Sequence, residues 1–309
     1  MKRAFTLVEI IITILILAIL SAGTLVSVKH LYIRVAKSKA LSDLSSDSQV
    51  ISDQISALLY DRVPSSVIGY RSDGTFSSIY VLRSTYSVIE WIGVAQESLK
   101  SGYYSGFVDL NASDKNSATI VSYDINKTGL NDVINAKFGS NSSDLALIFA
   151  GSFDSGSVTL SSDFNSSFGW HGNAHHDLIY NITTINDDNL TLSPTPNVIY
   201  EKYYLIDSAY AVARGGDIDI NATCIKDLNQ SVGSGTLFLF YNYRPWKNQT
   251  FCADPNGSNQ DGNVSILSQN VSGFEVEMVN DGIQFNLSLQ KHIRGDDNNI
   301  TISKQKVVF

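Results

Sequence analysis

From Phe5 to Val28 the chain runs as one apolar stretch whose only ionisable side chain is Glu9. These 24 residues would rise about 36 Å as a helix, against a hydrocarbon core about 30 Å thick, so the segment can cross a bilayer with some tilt. A secretory signal peptide would have a shorter apolar core ending in a small-residue cleavage site, and none closes this run convincingly. A carboxyl group inside an apolar span costs a few kcal/mol on insertion scales, so Glu9 calls for a partner. Lys2 and Arg3 precede the span and Lys29, Arg34, Lys37 and Lys39 follow it. Counted alone, that balance favours a cytoplasmic C-terminal part.

The helix is expected to continue past the bilayer. Residues 29–60 contain no Gly or Pro, and Leu41, Leu44, Ile51, Ile55, Leu58 and Leu59 recur at spacings that place them on one helical face. One helix over about 5–60 therefore divides into a transmembrane half at 5–28 and an amphipathic half at 29–62, and Pro64 closes it.

Beyond residue 65 short runs of β-branched and aromatic residues alternate with Gly, Asn, Asp and Ser, which reads as strands joined by turns. Candidate strands are 78–82, 87–94, 118–123, 145–149, 157–160, 178–182, 198–206, 209–213, 236–243, 272–279, 282–289 and 300–309. The clearest pair flanks Asn280-Asp281-Gly282, a composition suited to a positive-φ hairpin turn. The expected fold class is α+β: a long N-terminal helix packed on a mainly antiparallel β head. The head is large enough for two β-rich parts, 65–193 and 197–309, divided at Pro194-Thr195-Pro196.

The net charge of −8 and pI of about 5.0 recommend no nucleic-acid partner. No phosphate-binding glycine loop, nucleophile elbow or His-Glu-x-x-His helix is present, so an enzyme is not expected.

The stretch Arg3-Ala4-Phe5-Thr6-Leu7-Val8-Glu9 resembles the prepilin processing motif, and by it the chain looks like a type IV pilin or a type II secretion pseudopilin. The resemblance implies a leader, residues 1–4, cut before Phe5 by a prepilin peptidase, with methylation of the new Phe5 amine. Ala4 stands where the family usually has Gly, a small residue in place of a smaller one. The resemblance also implies that Glu9 pairs with the N-terminal amine of a neighbouring subunit in a filament, and that the basic leader stays inside while the head is exported. The implied partners are other pilins or pseudopilins through the N-terminal helix, the peptidase, an inner-membrane assembly platform and membrane lipid. A plain signal anchor with a stray Glu is the alternative. Residues 200–309, including the segment from Ile266 to Phe274, resemble larger minor pilins and J-type pseudopilins in pattern. The expected function is that of a minor pilin or pseudopilin in the initiating or sub-tip complex. A membrane-tethered binding module, or adhesin, is the reading from another class.

In an exported head the only two cysteines, Cys224 and Cys252, are expected to form a disulfide, with two buried thiols as the alternative. The chain has fourteen Asn-x-Ser/Thr triplets, and those at Asn111, Asn126, Asn165, Asn189, Asn221, Asn229, Asn263 and Asn299 carry Asp two residues before the Asn. With 30 acidic residues in 309, chance would supply one or two such strings. They resemble the extended acceptor site of bacterial oligosaccharyltransferases, which implies glycosylation on surface loops. Asp-rich turns offer an equal explanation. His171, His175, His176 and Asp177 are weak candidates for a metal site, without the cysteines or regular spacing of a structural zinc. No cofactor is expected, although Asp187-Asp188-Asn189 and Gly295-Asp296-Asp297-Asn298-Asn299 have the oxygen ligands that calcium prefers.

Overall fold

The computed structural model describes residues 6–70, 75–80, 84–153, 166–172, 176–255, 257, 259–295 and 298–309. Ala4, Phe5, Asn165, His175 and the candidate strand 157–160 lie outside them. Helix α1 runs unbroken over Leu7–Tyr60. Its 54 residues rise about 80 Å. Ala40, Leu44, Ser48, Ile51, Ser52, Ile55 and Leu59 are buried, at the spacings of three and four that keep one stripe on one side. Leu44, Ile51, Ile55 and Leu59 lie on it as expected and Leu58 is half-buried beside it, whereas Leu41 is 45% exposed and Ala40 is buried in its place.

The head is built around β9 (Tyr203–Arg214), which pairs antiparallel with β3 (Val88–Val94) on one side. On its other side β6 (Ala146–Phe149) lies along its first half and β10 (Leu237–Tyr243) along its second. From β3 the sheet continues through β1 (Ile68–Tyr70) to β2 (Phe76–Ser78). From β6 it runs through β7 (Ile179–Ile185), β8 (Asn189–Ser193) and β5 (Thr119–Val121) to β4 (Asp109–Asp114). Strand β13 (Asn263–Ser268) completes the eleven by pairing with β10. The expected division at Pro194-Thr195-Pro196 is therefore corrected. Strand β9 comes after it and sits between β3 and β6 from before it, so both parts of the head share one sheet. Of the strand expected over 78–82, Ser78 is the last residue of β2, Ile79 and Tyr80 lie in a turn, and residues 81 and 82 are outside the described residues.

A three-stranded sheet of β14 (Val271–Val279), β15 (Gly282–Lys291) and β16 (Ile300–Val308) packs one face on α1 and adjoins the large sheet at Tyr86, which exchanges backbone hydrogen bonds with Val276. Its first hairpin turns at Asn280 (φ 47°) and Asp281 (φ 65°). Positive φ at both central residues is the type I′ geometry that matches strand twist. The alternation along β9 sorts the core into faces. Tyr210 and Val212 join Leu44, Ile51, Ile55, Leu59, Val276 and Phe285 in one cluster. Ala209, Ala211 and Ala213 belong to another, with Trp170, Ile225, Phe238, Phe240 and Phe251. A register shift between Gly93 and Val94 resets the alternation, so that Ile206 and Ala209 face the same cluster. Glycine is needed there: a Cβ on Gly93 would stand 2.5 Å from the Tyr210 ring.

Two helices absent from the strand-only reading of the head cover the far half of the sheet: α2 (Gln96–Lys100) and α3 (Lys127–Phe138). Helix α3 opens on Asn126, whose side chain accepts from Gly129 N, and closes on left-handed Gly139 (φ 68°). Leu130 and Ile134 carry it onto Leu147, Leu190 and Leu205. Lys137 near its end reaches Asp207 at 2.9 Å and Glu97 at 3.0 Å. Burial raises the Asp207 carboxyl to about 6 against the pull of Lys137. For Lys137 burial opposes the charge, but Asp207, Tyr210 and Glu97 outweigh it and hold the ammonium above its ordinary value.

Candidate functional site

The two halves of α1 differ in what they touch. Seventeen large apolar side chains between Leu7 and Val35 are exposed, among them Leu7 at 76% and Leu25 at 70%. Each would contribute about 2 kcal/mol on full burial, so covering this half is worth on the order of tens of kcal/mol. No water-soluble surface leaves such a stripe open. The helix is long and apolar enough to cross a membrane. Its few hydroxyls are satisfied internally, Ser21 donating to Leu17 O at 2.6 Å and Ser27 to Gly23 O at 3.0 Å, as a hydrocarbon environment requires. Lys29, Arg34 and Lys39 are exposed just after the span, where basic side chains would favour an anionic headgroup layer.

Glu9 lies in the first turn. Its Oε2 accepts from Thr6 N and from Thr6 Oγ1, both at 3.0 Å, while Glu9 N donates to Thr6 Oγ1 at 3.4 Å. This is a capping box, in which N-cap and third residue satisfy each other's backbone donors. The carboxylate expected to seek a partner outside the chain already has one inside it. The Glu9 side chain remains exposed.

Residues 1–25 match the family model of the prokaryotic N-terminal methylation motif. The N-terminus is that of a type IV pilin-like protein. The matched segment is the one a prepilin peptidase processes, and with the apolar helix it fits membrane anchoring. No curated protein and no solved structure matches the chain.

Elsewhere in the chain, Cys224 is joined to Cys252 across a Cα–Cα distance of 6.4 Å. Of the candidate acceptors, Asn111, Asn126, Asn221, Asn229, Asn263 and Asn299 are exposed and Asn189 is half-buried. Asp109 Oδ1 accepts from Asn111 N and Asp219 Oδ1 from Asn221 N, both at 2.9 Å. Local turn chemistry thus accounts for an Asp two residues before an Asn at those two places. Asp261 is engaged differently, by Gly262 N at 2.7 Å and by Gln249 Nε2. A ninth string, Asp254-Pro255-Asn256-Gly257-Ser258, escaped the sequence reading; its Asp is buried, and its Asn and Ser lie outside the described residues.

The described members of the histidine cluster, His171, His176 and Asp177, form no metal site. Among the described residues no three His, Cys, Asp or Glu side chains gather as metal ligands. His176 Nδ1 lies 2.9 Å from Ile179 O, and Asp177 N donates to Ser166 O at 2.8 Å. His171, at φ 56°, points inward. Its Nε2 lies 2.8 Å from Tyr70 Oη and its Nδ1 3.3 Å from Asp254 Oδ2. Tyr70 Oη donates to Glu90 Oε2 at 2.5 Å and Tyr243 Oη to Glu90 Oε1 at 3.0 Å. Burial raises Glu90 to about 7, with Asp254 adding to it and His171 and the two phenols opposing it. Burial, then the Glu90 charge, raises both phenols well above their ordinary value. The sequence marked His171 as a ligand candidate and missed Glu90; a lone acid inside the apolar run 88–94 was the available signal. The calcium candidate at Asp187-Asp188-Asn189 is the turn joining β7 to β8, closed by Asn186 N donating to Asn189 O at 3.0 Å. Asp296 and Asp297 of the second candidate lie outside the described residues.

Proposed function

We propose that the chain is a minor pilin or pseudopilin, a non-catalytic subunit cut before Phe5, methylated there, and assembled into a type IV pilus or type II secretion filament. The observation that carries this reading is the open apolar half of α1 on a chain whose residues 1–25 match the methylation motif. In the bilayer that half is covered by lipid, with the leader inside and the head in the periplasm. In a filament the same half is covered by the helices of other subunits, drawn out through an inner-membrane assembly platform. Apolar helix packing supplies the affinity, and Glu9, exchanging its Thr6 partners for a neighbour's N-terminal amine, supplies the register. An acid at this position fits a subunit with another ahead of it, in the initiating or sub-tip complex.

The test is the terminal sequence and mass of the membrane-extracted protein, together with a Glu9→Ala variant scored in sheared filaments. The expected result is a methylated Phe5 terminus and incorporation lost in the variant while the head unfolds at the same urea concentration. An intact Met1 with unchanged behaviour of the variant would overturn the reading in favour of a tethered binding module.

A further inference from the structure

We propose that Asn221 and Asn229 are acceptors for N-linked glycan. Both belong to Asp-x-Asn-x-Ser/Thr strings, Asp219-Ile220-Asn221-Ala222-Thr223 and Asp227-Leu228-Asn229-Gln230-Ser231. The two are eight positions apart in one segment between β9 and β10, on either side of the single helical turn Thr223–Lys226. In each, the Asp, the Asn and the hydroxyl residue are all exposed, whereas Ser113, Thr191 and Ser265 of the strings at Asn111, Asn189 and Asn263 are half-buried. Asn126 is exposed but spends its Oδ1 on the start of α3. The turn explanation reaches only part of the pattern. The Asp219 carboxylate shapes its turn through Asn221 N, which gives a reason for the acid and none for an exposed Thr two residues after the Asn.

The segment is held in place while both asparagines stay exposed, Asn229 Nδ2 donating, among the described residues, only to Asp227 O of its own turn at 3.3 Å. Ala222 and Ile225 are buried between the two sites, Cys224 is bonded to Cys252, and Asp219 N donates to Ala253 O at 3.3 Å. An exposed loop on a fixed base is the form in which a folded chain can be offered to a transferase. Its position also suits a filament subunit. Ala222 and Ile225 pack on the β9 face that carries Ala209, Ala211 and Ala213, and α1 packs over the opposite face with Tyr210 and Val212. Sugar at Asn221 and Asn229 would stand away from the helix that joins subunits.

The donor is a polyprenyl diphosphate-linked oligosaccharide. Asparagine Nδ2 forms a bond to the anomeric carbon, the bond from that carbon to the diphosphate oxygen breaks, the electron pair leaves with the lipid diphosphate, and Nδ2 releases one proton to a base of the transferase. The proposal rests on export of the head, which protease accessibility on spheroplasts reads separately.

The test is the intact mass and peptide map of the full chain extracted from its own cells, beside Thr223→Ala/Ser231→Ala and Asp219→Ala/Asp227→Ala variants. These leave both asparagines and the left-handed backbone at Asn229 (φ 50°) untouched. The expected result is a mass above the polypeptide by two equal increments, mapping to Asn221 and Asn229, lost in the first variant and at least tenfold reduced in the second. A native mass equal to the processed polypeptide, or increments that map elsewhere and survive the Thr223/Ser231 variant, would overturn the assignment. An unmodified but protease-accessible head would overturn it alone; an inaccessible head would overturn the exported-filament reading as well.

Discussion

The β9 face that bears Tyr210 and Val212 lies under a helix and a three-stranded sheet, whereas the face that bears Ala209, Ala211 and Ala213 lies largely under loops tied by a disulfide and threaded by a buried acid. On the first face regular elements meet their own backbone hydrogen bonds and bring mostly apolar side chains, with Ser48 and Ser52 buried among them and Trp91 stacking on Tyr210 at 5.8 Å. On the second, small alanines leave room for aromatic residues arriving from irregular segments. Those segments bring polar groups that must be paired inside the protein. Elements that satisfy their own backbone can be held by area alone; irregular cover needs cross-links and polar networks.

That contrast can be broken first on the helix face. Ile55 is fully buried, so Ile55→Ala is expected to cost about 2–5 kcal/mol. The same change at Ile14, 61% exposed on the projecting half, should leave the urea midpoint of the detergent-solubilised chain within about 0.5 kcal/mol of wild type. On the loop face, replacing Cys224 and Cys252 by Ser opens a loop with a sequence separation of 28 and should cost roughly 3–4 kcal/mol by the chain-entropy account. If the faces are independent, combining it with Ile55→Ala should give the sum within about 0.5 kcal/mol in urea unfolding.

A third difference is dependence on pH. Glu90 titrates at about 7 in the fold against an ordinary 4.5, so the folded state keeps a proton that the unfolded chain has already released. The stability this supplies is complete below about pH 4.5 and declines as pH rises through about 7, by roughly 3 kcal/mol in all. Urea midpoints from pH 5 to 8.5 should therefore fall more steeply for wild type than for Glu90→Gln. A slope equal in the two would remove the acid from the account. The smallest effect belongs to the polar rim of the helix face, where Lys306 meets Asp53 at 2.5 Å with both partly exposed. Lys306→Met should change stability by less than about 1 kcal/mol, and 0.5 M salt should erase the difference.

The N-terminus was legible because its constraints are local: span length, Glu9 and the processing motif all lie within 28 residues. The β14–β15 hairpin was legible for the same reason. Strand β9 was read as two pieces because Asp207 and Ser208 interrupt its apolar run. What admits them is distant in sequence: Lys137 meets Asp207, and Ser208 Oγ accepts from Asn242 N at 2.8 Å. Helix α3 had its signals in Asn126 and Gly139, but a head read as strands left them as loop residues. His171 could be recognised as chemically interesting; that it would turn toward Tyr70 and Asp254 depended on contacts across a hundred residues of chain.

For the filament subunit proposed above, the reciprocal bonds between Thr6 and Glu9 also bear on how a copy waits. A bare carboxylate near the head of an apolar helix would press every free copy to find a mate, and chance encounters in the bilayer would be hard to undo. A carboxylate already held by its own first turn has no such urgency. In the proposed filament, joining a neighbour then becomes an exchange of one set of partners for another at the same carboxylate, and a wrongly seated copy can fall back on its own first turn.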